Sequence, residues 1–184
     1  MGLPSASSSP VTPRTSPTAP TISRIDTGNA LLTVYFSPGD DGGNPITSYQ
    51  YSTDGGATWQ TRTVGSTSSP IVISALSTNG TSALANGTTY SVQIRAVNSA
   101  GAGNASLTTT ATPVTVPTAP LSVVATPGNA SISLNWSTPS SNGGATITDY
   151  EVEYSTNGGS TWFSFINGTS AATSASITSL TNGT

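Results

Sequence analysis

The sequence predicts an all-β chain built as a tandem of two β-sandwiches, the second of which is incomplete. Three observations predict this architecture: the apolar segments are rich in strand-forming residues, their apolar residues alternate with polar ones, and the whole pattern occurs twice in 184 residues. Successive side chains of a strand point to opposite faces of a sheet, so this alternation predicts strands with one buried face.

The composition favours strands over helices. Thr, Val, Ile and Tyr recur in the apolar segments, whereas Lys is absent and charged residues make up only 6% of the chain. β-Branched and aromatic residues fit a pleated sheet, and the common helix formers are scarce. Alternation is clearest in two matching segments, residues 32–36 and 132–136, and clusters of Gly, Pro, Asn and Asp separate such segments. These clusters predict turns between short strands.

Internal repetition defines the domain organisation. Pro-Thr-Ala-Pro opens at Pro17 and again at Pro117, and Gly-Asn-Ala begins at Gly28 and again at Gly128. A period of ~100 residues suits one β-sandwich per repeat and is too long for a solenoid unit.

A length difference between the repeats supports the strand assignment. The segment at residues 46–52 corresponds to residues 147–155, which is two residues longer. In a strand, a change of two residues keeps every side chain on its original face. In a helix, the same change would turn the face by about 200°.

Several motifs then follow one another in a recognisable order. Each repeat has a Pro-x-Ala-Pro opening, an aromatic residue that closes the second strand (Phe36 or Trp136) and Ile-Thr-x-Tyr in the third strand. The first repeat continues with Leu-x-x-Gly-Thr-x-Tyr, from Leu84 to Tyr90, ahead of Val-x-Ile-x-Ala-Val-Asn. In this order the motifs resemble fibronectin type III domains. The resemblance implies immunoglobulin-like sandwiches of seven strands, with Leu84 and Tyr90 forming a tyrosine corner.

The resemblance also sets the expected domain boundaries. Residues 1–16 are rich in Pro, Ser and Thr and are predicted to be an extended tail. Residues 17–113 are expected to form a whole domain, and residues 117–184 a second one that is truncated before strands F and G. The end of the second repeat, residues 180–184, aligns with residues 84–88 of the first.

Two explanations for the truncation remain open at this point. The sequence is either a fragment of a longer protein, or a neighbouring chain supplies the absent strands by β-augmentation. An uncovered sheet exposes apolar side chains and unpaired backbone groups, so the second module is expected not to fold stably alone.

One motif resembles the Asp-box of sialidases and related β-propellers. It reads Ser-x-Asp-x-Gly-x-Thr-Trp with Asp54 and Trp59, and its second copy carries Asn157 and Trp162. A sialidase would also need an arginine cluster, a Tyr nucleophile with a Glu partner, and Asp-boxes on several blades. The four Arg residues are scattered and the repeat has the size of a single sandwich, so these requirements are not met. A structural role is predicted instead, in which the Asp or Asn side chain ties a hairpin turn and the Trp packs beneath it. Residues 74–85 of the first repeat are predicted to contain an insertion.

The predicted core of the first domain comes from alternate residues of several strands. It comprises Leu32, Val34, Phe36, Tyr49 or Tyr51, Trp59, Tyr90, Val92 and Ile94.

The residue types argue against catalysis. His, Cys and Lys are all absent, which removes the usual catalytic triads, Schiff-base chemistry and the common zinc ligands. Two pairs of carboxylates remain, Asp40 with Asp41 and Glu151 with Glu153. Each pair is predicted to be a solvated polar site. We predict no catalytic residue and no cofactor. Asp40, Asp41 and Asn44 form a weak calcium candidate, since an ion needs about six to eight oxygen ligands; a polar turn is the default interpretation.

Charge and hydropathy limit the classes of partner that the protein is expected to bind. A net charge of −3 with four Arg residues disfavours nucleic acid, and no apolar run approaches the ~18 residues of a membrane span. The main hypothesis is a non-enzymatic structural or interaction module of an extracellular assembly, either a virion capsid, fibre or tail component or a bacterial surface protein. Its expected partners are other protein subunits, with glycans as a further class. The alternative is an accessory spacer module of a larger secreted carbohydrate-active enzyme.

Overall fold

A computed structural model describes residues 12–62 and 66–183 and divides the chain into two compact units, Met1–Pro113 and Val114–Thr184. All regular secondary-structure elements in the described residues are β-strands, so the all-β prediction is confirmed. In this part of the chain no helix is long and apolar enough to cross a membrane.

The described residues of the first unit, 12–62 and 66–113, form two antiparallel sheets. One has the order β1-β2-β5, formed by β1 (Thr21–Gly28), β2 (Leu31–Ser37) and β5 (Ile71–Ile73). The other has the order β4-β3-β6-β7, formed by β3 (Ser48–Ser52), β4 (Gln60–Thr61), β6 (Tyr90–Asn98) and β7 (Gly101–Ala102), and β8 (Thr109–Ala111) also pairs with β6.

Alternation along the strands places one continuous apolar core in the first unit. The inward side chains of β2 and β6 are buried, and the polar residues between them face outward. The rings of Phe36 and Tyr49 lie 4.6 Å apart between centroids. The buried core comprises Leu32, Val34, Phe36, Tyr49, Tyr51, Ile71, Ile73, Leu84, Tyr90, Val92, Ile94, Ala96 and Ala111.

The residues of the expected tyrosine corner come together at the start of β6. Leu84 is buried, and the hydroxyl of Tyr90 accepts a hydrogen bond from Ala85 N at 2.9 Å. A hydroxyl at the edge of the core thus satisfies a backbone group of the preceding loop.

The structure corrects the prediction that Trp59 belongs to this core. Trp59 is only half-buried, because it precedes β4 on the side of the sheet that faces away from the interior. Thr61, two residues further on, pairs with Gln50, and Gln50 lies between the buried residues Tyr49 and Tyr51. The alternation along β4 therefore sends Trp59 outward, and both tyrosines fill the interior instead.

The last residues of the predicted tail contact the first unit. Residues 1–11 lie outside the described residues, but Thr15 already contacts the first unit: its N–H donates to Gly42 O at 3.0 Å, and Asn98 Nδ2 donates to Thr15 O at 2.8 Å. Pro17 is fully buried. Contacts with the first unit therefore begin before Pro17.

Residues 114–183 of the second unit form five strands in two smaller sheets. The strands are β9 (Leu121–Gly128), β10 (Ser131–Ser137), β11 (Val152–Tyr154), β12 (Phe163–Phe165) and β13 (Ser174–Thr178). One sheet has the order β13-β10-β9, and β11 pairs with β12 in the other. Among residues 114–183, only Tyr150, Val152 and Ile177 are buried apolar side chains.

Both units contain the same turn, which an asparagine from a distant segment holds in place. In the first unit, Ala30 N donates to Asn86 Oδ1 at 2.8 Å and Asn86 Nδ2 donates to Asn29 Oδ1 at 2.7 Å. Ala30 has a φ of 50°, a left-handed conformation that alanine rarely adopts without support. We call this arrangement the asparagine clasp.

The second unit repeats the clasp with Asn129, Ala130 and Asn182. Ala130 N donates to Asn182 Oδ1 and Asn182 Nδ2 donates to Asn129 Oδ1, both at 2.8 Å, and φ of Ala130 is 49°. Asn182 therefore occupies the position in its unit that Asn86 occupies in the first.

Candidate interaction site

The hairpin between β3 and β4 is tied together by Asp54. Its Oδ1 accepts hydrogen bonds from Ser52 Oγ at 2.7 Å and from Thr58 N at 3.0 Å, and its Oδ2 accepts from Thr58 Oγ1 at 2.6 Å. Trp59 Nε1 donates to Gly56 O at 3.0 Å, so the indole ring lies against the turn. Gly56 has a φ of 93°, which a residue with a side chain would rarely adopt.

The electrostatics of Asp54 fit this structural role. Partial burial acts to raise the pKa of Asp54, but hydrogen bonds from the Thr58 side chain and backbone and from Ser52 outweigh it and hold the pKa below its ordinary value. At pH values above this lowered pKa the carboxylate of Asp54 is ionised, and both of its oxygens accept hydrogen bonds within the turn.

A buried serine extends this network into the protein, and no local sequence pattern points to it. Ser77, from the predicted insertion, is only 3% exposed. Its Oγ accepts from Thr53 N at 2.9 Å and lies 2.9 Å from Thr58 Oγ1. A carboxylate can only accept, so the Thr58 hydroxyl donates to Asp54 and Ser77 donates to Thr58. The insertion thus supports the hairpin.

The second unit has the same hairpin with an amide in place of the carboxylate. Asn157 Oδ1 accepts from Ser155 Oγ at 3.0 Å and from Thr161 N at 2.9 Å. Its Nδ2 donates to Thr161 Oγ1 at 2.8 Å, so this last bond runs in the opposite direction to the one in the first unit.

The tryptophans of the two hairpins differ in what packs over their rings. The guanidinium of Arg95, on β6, lies 4.1 Å from the centroid of the Trp59 ring. Trp162 has no such cation over its ring among the described residues and is 59% exposed. Most of the Trp162 ring therefore faces solvent, and its packing beneath the turn is less complete than the sequence predicts.

The calcium candidate is used for protein hydrogen bonds. Asp40 Oδ1 accepts from Gly42 N and Asp41 Oδ1 accepts from Gly43 N, both at 2.8 Å, so each carboxylate caps its own turn. Asn44 is buried, where its Nδ2 donates to Ser99 Oγ. This geometry is that of a polar turn.

Asn98 is a second buried amide near this loop, and the sequence alone does not identify it. Asn98 Nδ2 lies within hydrogen-bond distance of three carbonyl oxygens, those of Thr15, Asp41 and Asn44, at 2.8, 2.8 and 3.3 Å. It joins the start of the domain to the loop after β2. The contacts span up to 83 residues of sequence, so no local pattern could reveal them.

The second unit leaves one side of its sandwich open. A cleft of 160 Å³ lies between its sheets and is lined by Pro120, Val123, Leu134, Trp136, Tyr150, Glu151, Val152 and Glu153. A larger cleft of 550 Å³ is lined by residues that include Ile132, Tyr154 and Leu180. Trp136 packs edge-on against Tyr150 at 5.3 Å, and its buried Nε1 has no hydrogen-bond partner among the described residues.

Two glutamates flank the smaller cleft. Glu151 and Glu153 are exposed on either side of the buried Val152. Within residues 114–183, no strand pairs with the edge of β11 opposite β12. The clefts, the glutamates and this free edge together are the strongest candidate for an interaction site on the protein.

The fold and the repeated hairpins define a class, the tandem all-β sandwich modules in which turns and loops carry the polar side chains. The family model of the fibronectin type III domain matches residues 116–184, within the second unit. Domains of this family are protein-interaction or spacer modules.

Many solved structures are similar to this chain, and one of them illustrates the low sequence identity. The crystal structure of the chicken CNTN1 FN1–FN3 domains matches with 19% identity and a TM-score of 0.44. The match covers 90% of this chain and 59% of the CNTN1 chain, so this protein spans less than two thirds of that structure.

Proposed function

We propose that the protein is a non-enzymatic structural and interaction module of an extracellular assembly. In this role it spaces or presents binding surfaces as a component of a virion capsid, fibre or tail, or of a bacterial surface. Its partners are other protein subunits of the assembly. The observation that carries the proposal is the use of the loop carboxylates: Asp40, Asp41 and Asp54 each accept backbone N–H groups of their own turns.

This use of carboxylates leaves little for acid–base chemistry. A catalytic carboxylate needs a free lone pair that faces a substrate, within about 3 Å of the proton it transfers. Glu151 and Glu153 cap no turn in the described part of the chain, and both are exposed, Glu151 just before β11 and Glu153 on it. The protein is therefore suited to contact other molecules through its surface.

The proposal is tested by identifying the neighbours of the protein in its native particle or envelope. Cross-linking mass spectrometry on intact material should connect the described loops to repeated structural subunits. Cross-links confined to a catalytic domain in the same polypeptide would support the spacer role in a carbohydrate-active enzyme instead. Purified protein should release no sugar from sialosides or other glycosides. Turnover that disappears in Asp54→Asn would contradict the non-enzymatic role.

A further inference from the structure

The first unit has a cleft on the side where both of its sheets end. Among the described residues, β4 and β5 are terminal strands of their sheets. A cleft of 300 Å³ lies beside them, lined by residues of β3, β4 and β5 and by residues 74–83 from the segment with the predicted insertion. Ligand pockets in proteins begin at about this volume, so the cleft suits one small molecule or one unit of a larger one.

The segment with the predicted insertion forms one wall of the cleft, and hydrogen bonds hold it in shape. Leu76 N donates to Ser82 O and Gly80 N donates to Leu76 O, both at 2.8 Å. Asn79 Oδ1 accepts from Ser82 N at 2.9 Å. A wall that is already ordered reduces the conformational entropy that binding would cost.

Tyr51 lines the cleft and carries a hydroxyl group that the fold does not use. The residue is only 6% exposed, and its ring belongs to the core of the first unit. Its hydroxyl makes no hydrogen bond with the described residues. Burial raises the pKa of Tyr51, so the hydroxyl stays protonated and is able both to donate and to accept. Polar groups buried this deeply are normally hydrogen-bonded, so a free one points to a partner from outside the fold.

Gln60 brings a second unused polar group to the same cleft. It lies opposite Tyr51 in the β3–β4 pair, and opposite residues of paired strands project from the same face. Its amide makes no hydrogen bond with the described residues and lies against Gly80, where an added Cβ would come within 2.7 Å of the amide nitrogen. The Gln60 amide therefore offers the cleft a donor and an acceptor side by side.

The lining of the cleft selects a neutral ligand that is rich in hydroxyl groups. No charged side chain is among the described residues that line it, so a charged ligand would lose hydration without gaining an ion pair. Small apolar side chains, among them Val72 and Ala83, lie beside the polar groups. A sugar ring has the matching surface, because its hydroxyl groups lie at the rim and its C–H groups form the faces.

The short edges of the sheets disfavour a partner strand as the occupant. β4 has two residues and β5 has three. An added strand would gain few backbone hydrogen bonds with either of them, and very short edge strands are one way in which proteins avoid such pairing. A sugar needs no strand edge for its hydrogen bonds.

We propose that this cleft binds a neutral pyranose residue of a glycan. The Tyr51 hydroxyl and the Gln60 amide hydrogen-bond to adjacent hydroxyl groups of the sugar, and a C–H face of the ring packs against the small apolar side chains. The inference goes beyond the assembly role proposed above and does not depend on it.

Methyl glycosides of glucose, galactose, mannose and N-acetylglucosamine provide the probes. Each is titrated into the full chain, and binding is followed by saturation-transfer NMR and by amide chemical shifts. At least one should bind saturably in the millimolar range, because a single sugar ring makes few contacts. The largest amide shifts should occur at Tyr51, Gln60 and Gly80.

Two variants remove the polar groups of the cleft. Tyr51→Phe should weaken binding about fivefold and Gln60→Leu about tenfold, because the first removes one hydrogen bond and the second two. Neither group is bonded to a described residue, so neither variant should lower the thermal unfolding temperature. The matched controls are Tyr49→Phe, whose unpartnered hydroxyl is enclosed in the core, and Gln50→Leu, on the opposite face of β3. Both controls should leave the affinity unchanged.

Larger probes distinguish two sources of the sugar. Oligosaccharides released from glycoproteins represent a protein-linked glycan, and linear glucan fragments represent a free polysaccharide. Tighter binding of either class than of the methyl glycosides supports the inference and identifies the source.

Three results would overturn the inference. The first is the absence of saturable binding for every glycoside. The second is binding that both Tyr51→Phe and Gln60→Leu leave unchanged, because the sugar would then bind elsewhere. The third concerns a peptide with the sequence of residues 31–37, the strand that pairs with β5. If this peptide shifts the amides of β5 while no glycoside binds, the edge belongs to a partner strand. None of these results affects the cross-linking to assembly subunits.

Discussion

The two units share a sequence pattern but differ in how completely that pattern is converted into a core. In the first, β2 buries Leu32, Val34 and Phe36, because β6 covers them from the facing sheet. In the second, the matching strand β10 leaves its counterparts half-exposed. Alternation therefore specifies which face of a strand is apolar, whereas burial requires the opposing strand to be present.

The largest expected contrast is in amide hydrogen exchange. Amides of β2 and β3 should exchange about a thousandfold more slowly than those of β10 and β11, because they open only with the whole first unit. Exchange followed by mass spectrometry on the intact chain provides the measurement. Equal protection in the two units would contradict the difference in core formation.

Removing an aromatic side chain should destabilise the first unit more than the second. Phe36→Ala should destabilise the first unit by about 3–5 kcal/mol, because it creates a cavity beside Tyr49. Trp136→Ala, the matched variant in the second unit, should cost less, since its ring borders an open cleft. Denaturant unfolding followed by circular dichroism gives both values. A loss below about 1 kcal/mol for Phe36→Ala would show that its side chain is not in the core.

Arg95→Ala should make Trp59 resemble Trp162. Loss of the guanidinium over the ring removes a cation–π contact of about 0.5–1 kcal/mol and exposes the indole. Iodide quenching of tryptophan fluorescence, measured in a Trp162→Phe background, should increase. The control Arg24→Ala uncovers Tyr35, whose ring centroid lies 3.8 Å from the Arg24 guanidinium, and should leave this quenching unchanged.

The smallest expected effect is that of Asp54→Asn at neutral pH, below about 0.5 kcal/mol. The second hairpin already uses Asn157 with the same partners, and reversal of the Thr58 hydroxyl restores the bond. Asp54→Ala, which removes these bonds, should cost about 1–2 kcal/mol. Equal losses for both variants in thermal unfolding would contradict this account.

The pH dependence of the same variant has a definite sign. Because the folded-state pKa of Asp54 lies below its ordinary value, the carboxylate stabilises the fold at pH above the unfolded pKa. That contribution is lost as the pH falls through the folded pKa. Thermal unfolding of Asp54→Asn should therefore depend less on pH in the acidic range than that of the wild type.

Sequence reasoning predicts the strands well, since a period of two residues is visible locally. The inward residues of β2 and β6 follow directly from the alternation. The prediction for Trp59 is wrong, because its face depends on the register of a two-residue strand after a turn. A turn of unknown geometry can reverse the face of the next residue.

The polar contacts that join distant loops could not be predicted. Ser77 and Asn98 each satisfy backbone groups in segments 24 or more residues away. Such bonds follow from how the folded loops meet, and Ser and Asn are too frequent in this chain for their type to be informative.

The asparagine clasp has a consequence for the chemical lifetime of the protein. In both units the clasp residue precedes a glycine, and Asn-Gly is a sequence prone to deamidation, in which the glycine nitrogen attacks the side-chain amide. Gly87 N donates to Pro113 O at 2.9 Å, which restrains that nitrogen in the first unit. A nitrogen held in this hydrogen bond is less free to attack, so Asn86 should deamidate more slowly in the folded protein than in a peptide of the same sequence.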